Sequence, residues 1–118
     1  MSATNDDEYF EKKLKSCATF LKRWKGATAV MWELTVSLKT LRIVLTTAEQ
    51  KGNLLLACLD PLRISGPVRW EHANVAVLRV RLPGSDDDGF LLRDEKAGVE
   101  VLCGGLEVKE NVKLYDPT

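Results

Sequence analysis

At Gly26 the hydrophobic pattern of this chain changes period, and that change restricts what it can fold into: one helix, then sheet. Before it, Phe10, Leu14, Cys17, Leu21 and Trp24 recur at intervals of four, three, four and three, which is one stripe of an α-helix. After it, alternation of period two persists almost to the last residue. The spacing predicts a helix over 6–25, with residues 1–5 expected to be disordered and the sheet expected over 28–115. Asn5 or Asp6 can cap the helix, and Asp6, Asp7 and Glu8 would lie at the positive end of its dipole. Lys22, Arg23 and Lys25 would lie at the negative end, with Gly26 as the stop. Fewer than three heptads are present, so the stripe reads as a face packed across a sheet and not as a coiled-coil seam.

The strand signals follow one another. Val30, Trp32, Leu34, Val36 and Leu38 share one face of a long first strand, and Leu41–Thr47 forms a second after a turn or bulge in S-L-K-T. Leu54–Leu59 is apolar on both faces and therefore belongs in the middle of the sheet. Asp60–Pro67, bracketed by two prolines, reads as the longest irregular connection. A short strand at Val68–His72 leads into the strongest β signal, N-V-A-V-L-R-V-R-L at Asn74–Leu82. There Ala76, Leu78, Val80 and Leu82 form the apolar face, and Val75, Val77, Arg79 and Arg81 the face that turns basic, so this strand is expected to be central and covered. P-G-S-D-D-D-G is a turn, Phe90–Arg93 a strand, and D-E-K-A-G another turn. V-E-V-L-C and L-E-V-K flank Gly104-Gly105, which predicts a type I′ hairpin pairing Cys103 with Leu106, Leu102 with Glu107, Val101 with Val108 and Glu100 with Lys109. Val112 and Leu114 are expected to add a short edge strand. The fold class is α+β: an amphipathic N-terminal helix on a mostly antiparallel, curled sheet of six to eight strands, a sandwich or partial barrel, in one domain over 1–118.

Composition excludes several functions. The 17 basic and 17 acidic side chains cancel, so no general attraction to nucleic acid or anionic lipid is expected. The balance is uneven along the chain: residues 26–82 carry seven basic against four acidic groups, and residues 83–118 four against nine, a bipolarity able to steer self-association. No apolar run approaches the roughly 18–20 residues of a spanning helix, and the polar start M-S-A-T-N-D-D-E does not resemble a signal peptide. Three cysteines, Cys17, Cys58 and Cys103, are odd in number and sit in apolar patterns, as reduced buried thiols do. A cytoplasmic protein is expected.

Chemistry-bearing motifs are sparse. Asp86-Asp87-Asp88 lacks the alternating ligands and distal Glu of a calcium loop, and no phosphate-binding, dinucleotide or zinc signature occurs, so neither metal nor cofactor is expected. A nucleophile at Cys103 paired with His72 and oriented by Asp60 can be drawn, but the single histidine and the inward place of Cys103 in its hairpin favour a non-enzyme. The segment R-I-S-G-P-V-R-W-E-H gathers Arg63, Arg69, Trp70 and His72, residue types that dominate interfaces, and is the candidate binding site; the competing reading has Trp70 filling the core. Arg79 and Arg81 are the candidates for holding an anion. The expected function is a protein-interaction module with a protein partner or a second copy of itself. The alternative is a small-ligand or anion-binding barrel, and the third reading a Cys/His enzyme.

Overall fold

The computed structural model describes residues 2–110. Helix α1 (Ser2–Arg23) is followed by β1 (Thr28–Thr35), β2 (Thr40–Thr46), β3 (Leu54–Ser65), β4 (Arg69–Trp70), β5 (Ala76–Arg81), β6 (Asp88–Asp94) and β7 (Val99–Glu110). The seven strands make one antiparallel sheet in the order β4-β1-β2-β3-β7-β6-β5, curled into a half-barrel with α1 packed on it. The expected strand at Val112 and Leu114 lies outside the described residues. The helix begins at Ser2, four residues before its expected start, because extending a formed helix costs far less than nucleating one. Asp6, Asp7 and Glu8 consequently sit past its first turn, where they complement the dipole less well.

The curl is made by β3 and β7, the two 12-residue strands. β2 pairs with β3 only over Leu54–Leu59, and β6 with β7 only over Val99–Cys103, so the long pair belongs to both halves of the barrel. Between the halves the pair bends. Asp60 adopts φ 52°, the register slips between Pro61 and Arg63, and Gly104-Gly105 stands opposite on β7. Inward-facing residues of β7 are Val99, Val101 and Cys103 before the glycines but Leu106 and Val108 after them, so the strand changes the face it presents. At Gly105 an added Cβ would lie 3.3 Å from the Leu59 side chain.

Gly104-Gly105 is therefore a bend inside one strand and not a type I′ hairpin. The ten cross-strand pairs that β7 makes with β3 outweigh the four of the local hairpin, even though the hairpin needs no long loop closure. The same bend absorbs Asp60–Ser65 into β3, where an irregular connection was expected; Pro61, which lacks an N–H, sits beside the bulge, where a ladder tolerates it.

β5 also departs from expectation. It is an edge strand, and its faces are exchanged: Val75 and Val77 pack against the core while Ala76 and Leu78 are exposed. The helix decides this, because the Phe10 ring takes the Arg79 guanidinium 4.3 Å from its centroid and Asp7 accepts a hydrogen bond from the same group.

Helix α1 closes the half-barrel. Beyond Cys103, β7 has β3 on one side and no strand on the other among the described residues, and the helix runs along that open side: Lys13 donates to Glu107, and Arg23 and the Trp24 indole N–H donate to Glu110. Its stripe of Phe10, Cys17, Leu21 and Trp24 is buried against Phe90, Leu54, Leu56, Cys103 and Leu106 in one core. The chain leaves the helix through Gly26, φ 90°, whose N–H donates to the carbonyl of Ala73.

Candidate functional site

The β1–β2 hairpin projects past the strands that cover its base. β1 pairs with β4 only at Ala29 and Val30, and one further bond runs from the Met31 N–H to the Val68 carbonyl. From Trp32 to Thr35 that side of β1 meets no strand among the described residues. Trp32 is the extra residue of a bulge, because Met31 pairs with Ile43 and Glu33 already with Arg42. Past Thr35 the chain turns through Val36–Lys39, with Lys39 at φ 48°, so the first strand ends three residues before its expected limit at Leu38. The tip is tied to β3 where the Asp60 N–H donates to the Lys39 carbonyl.

Nine large apolar side chains are exposed among the described residues, and six of them gather around this hairpin: Trp32, Leu34, Val36, Leu38, Leu62 and Val68. Val36, at the turn, is 79 % exposed. Isolated apolar side chains on a surface need no explanation, but a cluster beside an open strand edge leaves both apolar groups and backbone donors and acceptors open to pairing. Trp32, Leu34, Val36 and Leu38 alternate in the sequence as one strand face would, but the bulge at Trp32 and the turn that starts at Val36 separate them, and Leu34 stands opposite Leu41. Their exposure depends on how far β4 reaches along β1, which that alternation does not contain.

The structure places the expected binding residues in three different settings. Trp70 is 6 % exposed, and its indole N–H donates to Asp94 Oδ2 at 2.8 Å; the Asn74 N–H donates to the same oxygen at 2.7 Å. It belongs to the core. Arg63 and Arg69 are exposed on β3 and β4, Arg63 within 3.9 Å of Glu100, and His72 is exposed at φ 54° in the connection to β5. Arg79 and Arg81 lie on β5, at the other end of the strand order, and both donate to Asp88, Arg79 Nε at 2.6 Å and Arg81 Nε at 2.8 Å. Those two hydrogen bonds, Arg81's the larger influence, hold the Asp88 carboxyl below its usual range.

These arginines border a cleft of about 800 Å³ between the first half of α1, the β5–β6 hairpin and the bend of β3 and β7. Its walls carry Asp6, Asp7, Asp60, Asp86, Asp87 and Asp88, so an anion entering it would meet six carboxylates and two arginines already paired. No group of three acidic, cysteine or histidine side chains is arranged to hold a metal ion among the described residues.

The three cysteines are free and fully buried. Burial pushes the Cys17 thiol up to about 11, and contact with the Cys103 thiol together with burial raises that of Cys58 well above its ordinary value. Cys103 thus sits in the core beside Cys58, whereas His72 is on the surface. Among known proteins, the chain matches no family model, no curated protein and no solved structure.

Proposed function

We propose that this chain is a non-enzymatic protein-interaction module that docks its partner on the free end of the β1–β2 hairpin. The observation that carries the reading is the coincidence of six exposed apolar side chains with the open backbone edge of β1 at Trp32–Thr35. An extended segment pairing there would gain main-chain hydrogen bonds from the edge and apolar contacts from Trp32 and Leu34. Arg63 and Arg69, on the strands next to this end, would stand at the rim, where charge sets the rate and choice of encounter more than the affinity. A cytoplasmic setting suits a core holding three unpaired thiols.

The test is a benzophenone amino acid placed at Val36, with the same residue at exposed Lys96 as control, irradiated in the producing cell. A discrete adduct to one identified protein from Val36 and none from Lys96 is expected. No adduct, or the same adducts from both positions, refutes docking at this end.

A further inference from the structure

We infer that the partner at this edge is a second copy of the chain, joined by antiparallel pairing of β1 with β1 about a two-fold axis at Leu34. The inference rests on the interaction reading above and adds the identity of the partner and the register.

The backbone decides the register. Met31 sends its N–H toward the β4 side, and beyond the bulge Glu33 and Thr35 stand opposite Arg42 and Thr40 of β2. Alternation then turns the N–H and carbonyl of Leu34 to the open edge. Two copies related by a two-fold axis at Leu34 can exchange both of these bonds, Leu34 to Leu34, as in any hydrogen-bonded antiparallel pair. In that register Glu33 faces Thr35 of the other copy. Moving the axis by one residue, to Glu33, would set Glu33 against Glu33, two like charges directly opposite, and would aim the wrong backbone groups at the interface. The segment M-W-E-L-T-V is therefore complementary to itself in one register only.

Charge agrees with a second copy. The formal charge is zero, so two copies approach without net repulsion. Glu33 is paired with Arg42 within its own hairpin and brings no unneutralised charge to the seam.

The experiment is sedimentation equilibrium of the purified chain from about 1 to 200 μM, a range that spans ordinary dimer affinities, on the wild type and on Leu34→Pro and Leu34→Lys. The wild type is expected to pass from monomer to dimer. Both variants should weaken the dimer at least tenfold with unchanged circular dichroism, because a proline whose missing N–H faces an open edge spares the β1–β2 ladder. If Leu34→Pro misfolds, Leu34→Lys alone decides. Leu34→Cys adds the register: the two cysteines would lie about 5.5 Å apart at Cα and close a disulfide across the axis under mild oxidation, while Leu62→Cys would not. A wild type that stays monomeric, a dimer indifferent to Leu34→Lys, or a Leu34→Cys dimer that fails to cross-link overturns the inference. A monomeric wild type with a foreign protein captured at Val36 would leave the interaction reading standing; no capture at all would remove both.

Discussion

Replacing Asp94 tests whether its carboxylate joins the two halves of the barrel. Asp94 is 1 % exposed on β6, and its Oδ2 accepts from the Trp70 indole of the opposite edge and from the Asn74 backbone. Hydrogen bonds to a charged acceptor contribute about 1.5–3 kcal/mol each, and losing the acceptor strands two donors that water reaches poorly. Asp94→Ala should cost about 3–5 kcal/mol, a large part of the roughly 5–15 kcal/mol that holds an ordinary domain together. Asp94→Asn keeps an oxygen for both donors but turns its amide toward the Ala97 N–H, 3.5 Å from Oδ1, and should cost only about 1–2 kcal/mol. Urea unfolding followed by tryptophan fluorescence measures both. The Asp94→Ala midpoint should fall by roughly 2 M at unchanged slope, with Asp94→Asn between it and the wild type. An Asp94→Ala midpoint within about 0.5 M of the wild type would refute the reasoning, since Trp70 would then be held by packing alone.

Three further outcomes are expected. Gly89→Ala should destabilise the fold by about 2–3 kcal/mol because its Cβ would meet the Cys103 carbonyl and come within 2.6 Å of the Leu82 side chain, whereas Gly105→Ala, facing a Leu59 that is partly exposed, should cost about 1 kcal/mol; comparing the two urea midpoints checks the order. An alkylating reagent at pH 8 should modify Cys17 and Cys58 at least about tenfold more slowly in the folded chain than in urea, and rapid labelling of either in the native state would contradict the raised thiols. The lowered Asp88 carboxyl contributes stability that is present above its unfolded value, 3.8, and lost as pH falls through the lower folded value. Acid titration of Asp88→Asn should therefore show a shallower loss of stability at the acid end than the wild type, and parallel curves would disprove the link.

Sequence patterning carried the helix, the antiparallel sheet, the central place of Leu54–Leu59 and the turns at Gly26 and Gly98, because each rests on residues within a few positions of one another. It misread what depends on distant partners. Gly104-Gly105 has the composition of a hairpin turn, and only the competing pairing with β3 makes it a bend. Asn74–Leu82 has one face richer in apolar groups, yet the helix supplies Phe10 and Asp7 to the other, and Arg79 follows them inward. Arg63–His72 and Arg79–Arg81 were grouped by residue type, and the strand order separates them. The hairpin end was written as an unbroken apolar alternation, but no local signal tells that β4 would be two residues long and leave it uncovered.

The place of α1 beside the unpaired half of β7 has a bearing on how the chain is made. The helix leaves the ribosome before the strand it lies against, Val99–Glu110. At roughly 5–20 residues per second, the buried stripe of Phe10, Cys17, Leu21 and Trp24 waits on the order of 5–20 s for its floor to be synthesised. During that interval an amphipathic helix with no partner is the species most open to chaperones and to neighbouring nascent chains. Shortening the wait, by moving α1 behind β7 in a circularly permuted chain, should raise the soluble yield without altering the folded state.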